Sequence, residues 1–406
     1  MVDHVVIAGA SVGGIKTARG LRRRGFDGRI TLIGAEPHTP YDRPPLSKQV
    51  LTDHDGAALL GLEPQGFLDG LDLRLGVRAV GLDAAARSVA LEDGTEVVGD
   101  HLVIATGAAA RWLPGTRGIE GVGVLRSLDD ATWLRAELRD REPRRVAIIG
   151  AGFIGCEVAA SARTLGHHVT VVEPLQAPVV RGLGPVLGGV VADLHRERGV
   201  ELRLGVGVTE LVADAGRVTG LRLADGSLVE AHVVVVGIGA APVTDWLEGS
   251  GLRVDNGVVC DDWLRAEGGN GRVWAVGDVA RFPSTTFRAM LRLEHWDNAV
   301  AQGLVVAQNI LGDAKAGPYD PVPYVWSDQY EHKFQVVGHP SGDDDVELVA
   351  GSFAERRFVA TYARDGVVTG VVGLDRPKPV LTSRPLIAAH ATPAEVAAHV
   401  ASLPNP

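Results

Sequence analysis

Cysteine is nearly absent from this sequence. The 406 residues contain two cysteines, Cys156 and Cys260, which lie far apart and form no C-x-x-C pair. This usage excludes a disulfide framework, a cysteine-ligated iron–sulfur cluster and a structural zinc site of the usual kind. The 13 histidines are scattered without H-E-x-x-H or a comparable ligand spacing, so we expect no metal site.

The sequence also lacks long apolar runs and an excess of positive charge. No apolar stretch approaches the ~18 residues that are needed to span a bilayer. Asp3 precedes the first apolar stretch, where a signal peptide would be basic. We therefore expect a cytoplasmic protein without a membrane segment. The net charge of −10 argues against nucleic acid as a partner.

A nucleotide-binding pattern occupies the middle of the chain. A short apolar strand leads into Gly150-Ala151-Gly152-Phe153-Ile154-Gly155, then a predicted helix and a second strand that ends at Glu173. The first glycine permits a tight turn, the second lets the backbone approach a pyrophosphate, and the third lets helix and strand pack. The pyrophosphate then lies at the helix N-terminus, where free N–H groups favour an anion.

The same pattern occurs near the N-terminus. A strand leads into Gly9-Ala10-Ser11-Val12-Gly13-Gly14, and the following strand is closed by Glu36. A shift of 141 positions pairs Gly9 with Gly150 and Gly14 with Gly155. Because each repeat binds one dinucleotide, the duplication predicts two dinucleotides and electron transfer between them.

The end of the second repeat carries information about which dinucleotide binds there. Glu173 follows Gly155 by 18 residues, close to the ~20 expected for a carboxylate that accepts from a ribose 2′-hydroxyl. A 2′-phosphate would face this carboxylate, and Arg181 is the first cation after it. The pattern favours NADH over NADPH. The alternative interpretation is that Glu173 merely ends a strand.

The length and the repeat predict several domains. We expect residues 1–108 and 244–318 to form a discontinuous first nucleotide-binding domain, residues 109–243 the second, and residues 319–406 a C-terminal domain. The fold class is α/β, with two Rossmann-like domains and a C-terminal α+β domain that closes on a capped helix at Thr392-Pro393-Ala394-Glu395.

More particular motifs extend over nearly the whole chain. They include Arg43-Pro44-Pro45-Leu46-Ser47-Lys48, Gly277-Asp278-Val279-Ala280, Glu294-His295-Trp296 and Trp326-Ser327-Asp328-Gln329-Tyr330. With these motifs the sequence resembles the NADH-dependent flavoprotein ferredoxin reductases that supply cytochrome P450s and ring-hydroxylating dioxygenases. That family has a glutathione-reductase-like fold. The glycine motifs alone would match many flavoproteins.

The resemblance implies FAD on the first repeat, NADH on the second, and a [2Fe–2S] ferredoxin as the electron acceptor. It places Lys48 and Glu157 beside flavin N5 as catalytic residues. It places other side chains at the FAD ribose (Glu36), pyrophosphate and flavin (Arg43, Lys48, Arg126), adenine (Val80), ribityl chain (Asp278) and flavin ring (Trp296). The remaining candidate cofactor-binding residues are Gly9, Ser11, Gly13, Gly14, Ala105, Thr106, Gly107, Gly277, His295, Trp326, Gly150, Gly152, Phe153, Ile154, Gly155, Glu157, Glu173, Arg181, Gly237, Ile238 and Gly239.

Ser11 departs from the family pattern, because a glycine usually stands there. Its Cβ narrows the approach of the backbone to a phosphate, although its hydroxyl can donate to one. Gly9-Ala10-Ser11-Val12-Gly13 also matches the G-x-S-x-G nucleophile elbow of hydrolases. That elbow normally follows several strands, whereas this motif follows the first strand. The repeat moreover aligns Ser11 with Gly152, so we disfavour hydrolysis.

Other flavoprotein functions remain as alternatives. Disulfide-reducing relatives need a redox cysteine near the flavin, and residues 40–52 contain none. A rubredoxin reductase or another NADH:acceptor reductase is the nearest alternative enzyme. A signalling flavoprotein of the apoptosis-inducing-factor kind is the non-enzymatic one. Since ferredoxins of this type are acidic, docking requires a local basic patch. The candidates for that patch are Arg288, Arg292, Arg376, Lys378 and Arg384.

Overall fold

The computed structural model describes residues 2–53, 60–139, 142–314 and 316–404. The chain divides into two compact units. The first unit comprises Met1–Asp42, Leu60–Ala109 and Ala241–Pro323, and the second comprises Arg43–Leu59, Ala110–Ala240 and Tyr324–Pro406.

The strands and helices are numbered in chain order. The strands are β1 (His4–Ala8), β2 (Arg29–Gly34), β3 (Asp72–Leu75), β4 (Ala79–Asp83), β5 (Ser88–Leu91), β6 (Glu96–Val98), β7 (His101–Ile104), β8 (Ala108–Ala110), β9 (Val122–Gly123), β10 (Arg145–Ile149), β11 (His168–Glu173), β12 (Glu201–Leu204), β13 (Val208–Asp214), β14 (Arg217–Leu223), β15 (Leu228–Glu230), β16 (Val233–Val236), β17 (Ala240–Pro242), β18 (Val258–Val259), β19 (Val273–Ala275), β20 (Ala280–Ser284), β21 (Ala289–Leu291), β22 (Tyr324–Gln329), β23 (His332–Gly338), β24 (Asp345–Ser352), β25 (Arg357–Arg364) and β26 (Val367–Leu374). The helices are α1 (Val12–Arg23), α2 (Gln49–Thr52), α3 (Gln65–Leu68), α4 (Leu128–Leu138), α5 (Phe153–Thr164), α6 (Val180–Glu197), α7 (Trp296–Leu311), α8 (Pro377–Thr382), α9 (Arg384–Ala388) and α10 (Pro393–Ser402), with 3-10 turns at Pro44–Ser47, Asp245–Leu247 and Gly277–Val279.

A parallel sheet in the order β19-β7-β1-β2-β3 is the centre of the first unit. Strand β1 is apolar and almost wholly buried, as expected for a parallel strand that is covered on both faces. Helix α7 packs closely on α1, because a Cβ on Gly303 would lie 2.7 Å from the carbonyl oxygen of Gly13. The start of α1 is thereby held against the carboxyl end of the sheet.

The second unit contains an equivalent parallel sheet in the order β12-β11-β10-β16-β9. Helix α5 follows β10, as α1 follows β1. Helix α6 is interrupted at Gly184 (φ 67°, ψ 179°), where a Cβ would approach the carbonyl oxygen of Gly342 to 2.9 Å. A side chain at Gly184 would therefore be strained as well as crowded.

An antiparallel sheet in the order β22-β23-β26-β25-β24, with α8, α9 and α10, forms the C-terminal part of the second unit. Helix α10 begins with the predicted capping box, since the Thr392 side chain accepts from the N–H of Glu395 and the Glu395 side chain accepts from the N–H of Thr392. That prediction is confirmed. None of the helices within the described ranges has the length and apolar character needed to cross a bilayer.

Some strands differ from the sequence pattern. The apolar alternation predicts one strand over residues 73–80, but the chain turns at Gly76 (φ 72°), so β3 and β4 belong to different sheets. It also predicts one strand over residues 229–236. That run is divided between the antiparallel β15 and the parallel β16, and both single-strand predictions are wrong. Helix α6 was not predicted, because the glycines at its start and its internal proline are typical of a loop.

Candidate functional site

The turn of the first repeat is built on glycines that cannot be replaced. Gly9 has φ 125°, and a Cβ there would lie 2.0 Å from the carbonyl oxygen of Ala105. A Cβ on Gly14 would lie 1.9 Å from the carbonyl oxygen of Gly9. Ser11 is the N-cap of α1 in an extended conformation. The N-terminus of α1 is therefore placed at the carboxyl end of β1, as a phosphate site requires.

The second repeat has the same construction. A Cβ on Gly150 (φ 101°) would lie 2.3 Å from the carbonyl oxygen of Gly237, and one on Gly155 would lie 2.2 Å from that of Gly150. At Gly152, by contrast, a Cβ would meet no atom of the described residues within 4 Å. Packing explains the outer two glycines, whereas open space at Gly152 fits the approach of a pyrophosphate. Ser11 occupies the equivalent N-cap position of the first repeat.

Glu173 lies at the end of β11 and is 9% exposed. Its Oε2 accepts the backbone N–H of Ala151 at 2.8 Å, and its Oε1 accepts the N–H of Leu175 at 3.0 Å. The carboxylate is therefore held beside the glycine turn. At the corresponding strand end of the first repeat, Glu36 Oε2 accepts the hydroxyl of Tyr41 at 2.5 Å.

Gln302 of α7 contacts the turn at Gly277-Asp278. Its Oε1 accepts the backbone N–H of Gly277 at 2.7 Å, and the side chain is fully buried. Its Nε2 has no hydrogen-bond partner among the described residues. A buried donor left unpaired costs about 1–3 kcal/mol, so this amide fits a polar ligand such as a dinucleotide. Sequence reasoning missed Gln302, because nothing local distinguishes it from other buried helix residues.

Other candidates of the first unit lie at strand ends and on its surface. The indole Nε1 of Trp296 donates to Asp42 Oδ1 at 2.7 Å, and His295 is the N-cap of α7. Thr106, after β7, donates through Oγ1 to the carbonyl oxygen of Val243 at 2.9 Å. Val80 is 48% exposed, so its side chain is accessible to a ligand such as adenine.

The second unit brings Lys48 and Glu157 together. Lys48 Nζ lies 2.8 Å from Glu157 Oε2, and the two side chains are 12% and 3% exposed. Ser47 Oγ donates to the same carboxylate oxygen at 2.5 Å, and Lys48 also donates to the carbonyl oxygen of Pro44 at 3.1 Å. Glu157 stands on α5, the helix that begins at the second glycine turn. Glu157 therefore connects the ion pair to the helix that begins at the second glycine turn.

Ser327 of β22 is a further hydrogen-bond donor to this carboxylate. Ser327 belongs to a motif of the sequence, but the motif alone assigns it no role. Its Oγ donates to Glu157 Oε1 at 2.7 Å. The sequence contains a usable signal, because alternation along a strand places Ser327 and Gln329 on one face of β22. The partner, however, is 170 residues away, and local pattern does not identify it.

The remaining candidates of the second unit differ in exposure. Arg43 Nη1 donates to the carbonyl oxygen of Arg126 at 2.6 Å, so the backbone of one candidate holds the side chain of another. Trp326 stacks on Tyr324, with ring centroids 5.8 Å apart and 22° between the planes. Ile154, in the first turn of α5, is 48% exposed, and Arg181, in the first turn of α6, is exposed as well.

Comparison with known proteins adds the family. Residues 3–303 match the family model described as "Pyridine nucleotide-disulphide oxidoreductase", and residues 324–403 match "Reductase C-terminal". The chain belongs to the pyridine nucleotide-disulphide oxidoreductase family. The fold expected from the glycine repeats is thereby confirmed.

Similar proteins include two curated relatives and a solved complex. Rhodocoxin reductase of Rhodococcus erythropolis is 38% identical over 95% of this chain and 89% of its own length. The ferredoxin reductase component of chlorobenzene dioxygenase from Cupriavidus sp. (strain PS12) is 38% identical over 96% and 94%. The crystal structure of the covalent putidaredoxin reductase–putidaredoxin complex contains a chain 32% identical, with TM-score 0.92 and coverage of 97% and 95%.

The family name refers to disulfide chemistry, but this chain has no thiol suited to it. Cys156 and Cys260 are both buried, and burial raises the pKa of each thiol far above its usual range. A thiolate is the form that attacks a disulfide, so neither residue is a redox nucleophile at neutral pH. Cys156 instead packs in α5, with its Sγ 3.6 Å from the carbonyl oxygen of Ala151.

Proposed function

We propose that this protein is an FAD-dependent NADH:ferredoxin oxidoreductase. It takes a hydride from NADH and passes electrons singly to a [2Fe–2S] ferredoxin that supplies a cytochrome P450 or a ring-hydroxylating oxygenase. The observation that carries the proposal is the presence of two dinucleotide turns in a chain whose two cysteines are buried, with thiol pKa values raised by burial. Electrons therefore pass from the flavin to the acceptor without a cysteine pair as an intermediate carrier. The named relatives serve rhodocoxin and a chlorobenzene dioxygenase.

The domains follow from the same argument. We assign FAD to residues 1–108 and 244–318, NADH to residues 109–243, and a C-terminal domain to residues 319–406. Within the first of these ranges, Arg43–Leu59 groups with the second compact unit. In the first repeat, Ser11 and the N–H groups at the start of α1 hold the pyrophosphate, and Glu36 holds the ribose. Gln302 provides an unpaired buried amide beside the Gly277 turn.

When bound, FAD supplies hydride acceptance and one-electron release. The chain supplies binding and orientation. Glu173, fixed by two backbone N–H groups, accepts from the ribose hydroxyl of NADH and repels a 2′-phosphate. When FAD is bound, Lys48, held by Glu157, would present its ammonium to the flavin near N5.

We also propose that the protein works in the cytoplasm, because NADH is produced and consumed there. Activity measured in the soluble and membrane fractions of the producing cell tests this location. Recovery of the NADH-dependent activity in a membrane or extracellular fraction would contradict it.

The function is tested by NADH-dependent cytochrome c reduction with and without candidate [2Fe–2S] ferredoxins. We expect strong stimulation by a ferredoxin and weak reduction of cytochrome c without one. If rubredoxin alone stimulates the reaction, the enzyme is a rubredoxin reductase. If NADH binds but no protein acceptor is reduced, the chain is a binding or signalling flavoprotein and the proposal is wrong.

A further inference from the structure

A continuous chain of hydrogen bonds runs through the interior of the second unit and ends on Glu157. Ser327 Oγ lies 2.7 Å from Glu157 Oε1, and Gln329 Nε2 lies 3.2 Å from Ser327 Oγ. His195 Nε2 lies 3.1 Å from Gln329 Oε1. At the far end, the hydroxyl of Tyr330 lies 3.0 Å from His195 Nδ1. The chain joins α5, α6 and β22.

The direction of every bond follows from the chemistry of its members. A carboxylate only accepts, so the Ser327 hydroxyl donates to Glu157 and accepts from the Gln329 amide nitrogen. The amide oxygen of Gln329 then accepts from His195, which must carry its proton on Nε2. His195 Nδ1 is left to accept from the Tyr330 hydroxyl. All donors therefore point toward Glu157.

The surroundings keep these protonation states. Burial lowers the pKa of His195 to about 4, so the imidazole is neutral at physiological pH. Burial also raises the pKa of the Tyr330 phenol, which therefore remains a donor. Ser327, Gln329 and His195 are each no more than 1% exposed. Hydrogen bonds aligned in this way in a water-excluded interior polarise one another.

Tyr330 begins the chain from a strained conformation. Its φ is 57°, in the left-handed region that side chains other than glycine seldom adopt. Tyr330 lies in the two-residue turn between β22 and β23, which favours a positive φ. Its hydroxyl donates to His195, and the Arg198 guanidinium lies 5.1 Å from the ring centroid. A strained residue of this kind persists only when its surroundings require it.

We propose that Ser327, Gln329 and His195 are positioning residues, forming a directed hydrogen-bond chain that holds the Glu157 carboxylate in the orientation needed to place Lys48. This inference rests on the proposed function for the role of Lys48 at the flavin. The chain itself belongs to the protein and is independent of any acceptor. Lys48 contacts Glu157 directly, whereas these three residues act on Lys48 through Glu157.

The tautomer of His195 is the first test. Holoenzyme labelled with ¹⁵N-histidine is examined by long-range ¹H–¹⁵N correlation, and the His195→Gln variant assigns the signals. We expect a neutral imidazole with its proton on Nε2 at about pH 7. A proton on Nδ1, or a charged ring, would overturn the direction of the chain. This measurement needs no electron acceptor and no turnover.

Kinetic variants provide the second test. Ser327→Ala removes the member of the chain that donates directly to Glu157, while Ser327→Thr keeps a hydroxyl there. We expect Ser327→Ala to slow flavin reduction by NADH about tenfold, the loss expected for one hydrogen bond to a charged group, with NADH affinity unchanged. Ser327→Thr should restore most of the rate. Likewise His195→Gln, which keeps both a donor and an acceptor, should be faster than His195→Leu.

Ser383→Ala is the matched control. Ser383 is a fully buried serine of the second unit, outside the chain, whose Oγ donates to the carbonyl oxygen of Pro379 at 2.8 Å. The Ser383→Ala variant should lose about as much stability as Ser327→Ala but should keep the wild-type rate of flavin reduction by NADH. If both variants slow flavin reduction in proportion to their lost stability, or if Ser327→Ala keeps the wild-type rate, the chain is only structural. If the tautomer and rate effects appear but no ferredoxin is reduced, the proposed function fails and the chain stands.

Discussion

The side-chain oxygen of Gln302 accepts the backbone N–H of Gly277 at 2.7 Å, so a residue of α7 holds the turn that precedes Asp278. The amide nitrogen of the same side chain, Nε2, is buried without a hydrogen-bond partner among the described residues. The first unit thus contains a donor that is satisfied only when something polar enters. We therefore propose Gln302 as a contact of bound FAD, and a substitution there tests the proposal.

Replacing Gln302 with leucine should weaken FAD binding. Leu keeps the volume but leaves the Gly277 N–H without its acceptor and removes the free amide. We expect at least a tenfold rise in the FAD dissociation constant, corresponding to about 1.4 kcal/mol, measured by flavin fluorescence on reconstitution of the apoprotein. Asn309→Ala is the control, because Asn309 lies on the same helix and donates to the carbonyl oxygen of Trp263. Equal FAD affinity in both variants would contradict the assignment.

Gly152 and Gly155 of the second turn should respond differently to alanine. At Gly155 a Cβ would lie 2.2 Å from the Gly150 carbonyl oxygen, so Gly155→Ala should destabilise the fold. At Gly152 the space is open, so Gly152→Ala should keep the wild-type melting temperature and FAD content but lose NADH affinity severalfold. Thermal unfolding and stopped-flow NADH titration separate the two effects. A Gly152→Ala enzyme with unchanged NADH affinity would place the pyrophosphate elsewhere.

The wild-type enzyme should prefer NADH, and the preference should depend on Glu173. Glu173→Gln removes the charge but keeps an oxygen that accepts one of the two backbone N–H groups. Combined with Gln176→Arg, it should raise the NADPH-to-NADH ratio of kcat/KM roughly tenfold or more, by removing repulsion and adding a phosphate partner. Glu173→Gln alone is the control for the added arginine. A wild type that prefers NADPH would show that Glu173 only ends its strand.

Acid should destabilise the fold partly through His195. Burial lowers the pKa of His195 from 6.5 to about 4, so between these values the unfolded state binds a proton that the folded state does not. The contribution of His195 to stability is full above pH 6.5 and is lost as the pH falls through about 4. The difference between the two pKa values corresponds to a loss of at most roughly 3 kcal/mol in the free energy of unfolding.

Urea unfolding of wild type and His195→Gln at several pH values tests this directly. The difference between the two free energies of unfolding should shrink as the pH falls from about 6.5 toward 4, because glutamine does not titrate. Taking the difference cancels the contribution of His101, whose pKa burial also lowers to about 4. Parallel curves for the two proteins would contradict the buried neutral state of His195.

Ferredoxin docking should depend on exposed cations, since the protein carries a net charge of −10. Arg292 is a poor candidate, because it is 13% exposed and pairs with Glu294 at 2.8 Å. Arg288 and Lys378 are exposed. Reversing each to glutamate should slow ferredoxin reduction severalfold and weaken its salt dependence, while ferricyanide reduction is unchanged.

Arg23→Glu is the control for that prediction. Arg23 is exposed in the last turn of α1, at the opposite end of the helix from the phosphate turn. The Arg23→Glu variant should leave both ferredoxin reduction and ferricyanide reduction unchanged. A parallel loss of ferredoxin and ferricyanide reduction in the Arg288 and Lys378 variants would indicate damage to the flavin site, and no loss would place the docking surface elsewhere.

Local chemistry explains what could be predicted. The glycine turns and the capping box at Thr392 appear where the pattern indicates. Each depends on residues a few positions apart, because a positive φ or a short backbone contact admits few side chains. The strand over residues 229–236 could not be divided in advance, since its two halves pair with different sheets.

The amino-acid sequence by itself determined the two nucleotide-binding turns and the lack of a redox thiol. Only the tertiary structure decided what surrounds Glu157. Lys48, Ser47 and Ser327 come from segments more than 100 residues from Glu157 in sequence, and His195 and Gln329 are 134 residues apart. A hydrogen bond needs its two atoms within about 3 Å, and such proximity between distant segments is set by the packing of α5, α6 and β22 rather than by any local pattern.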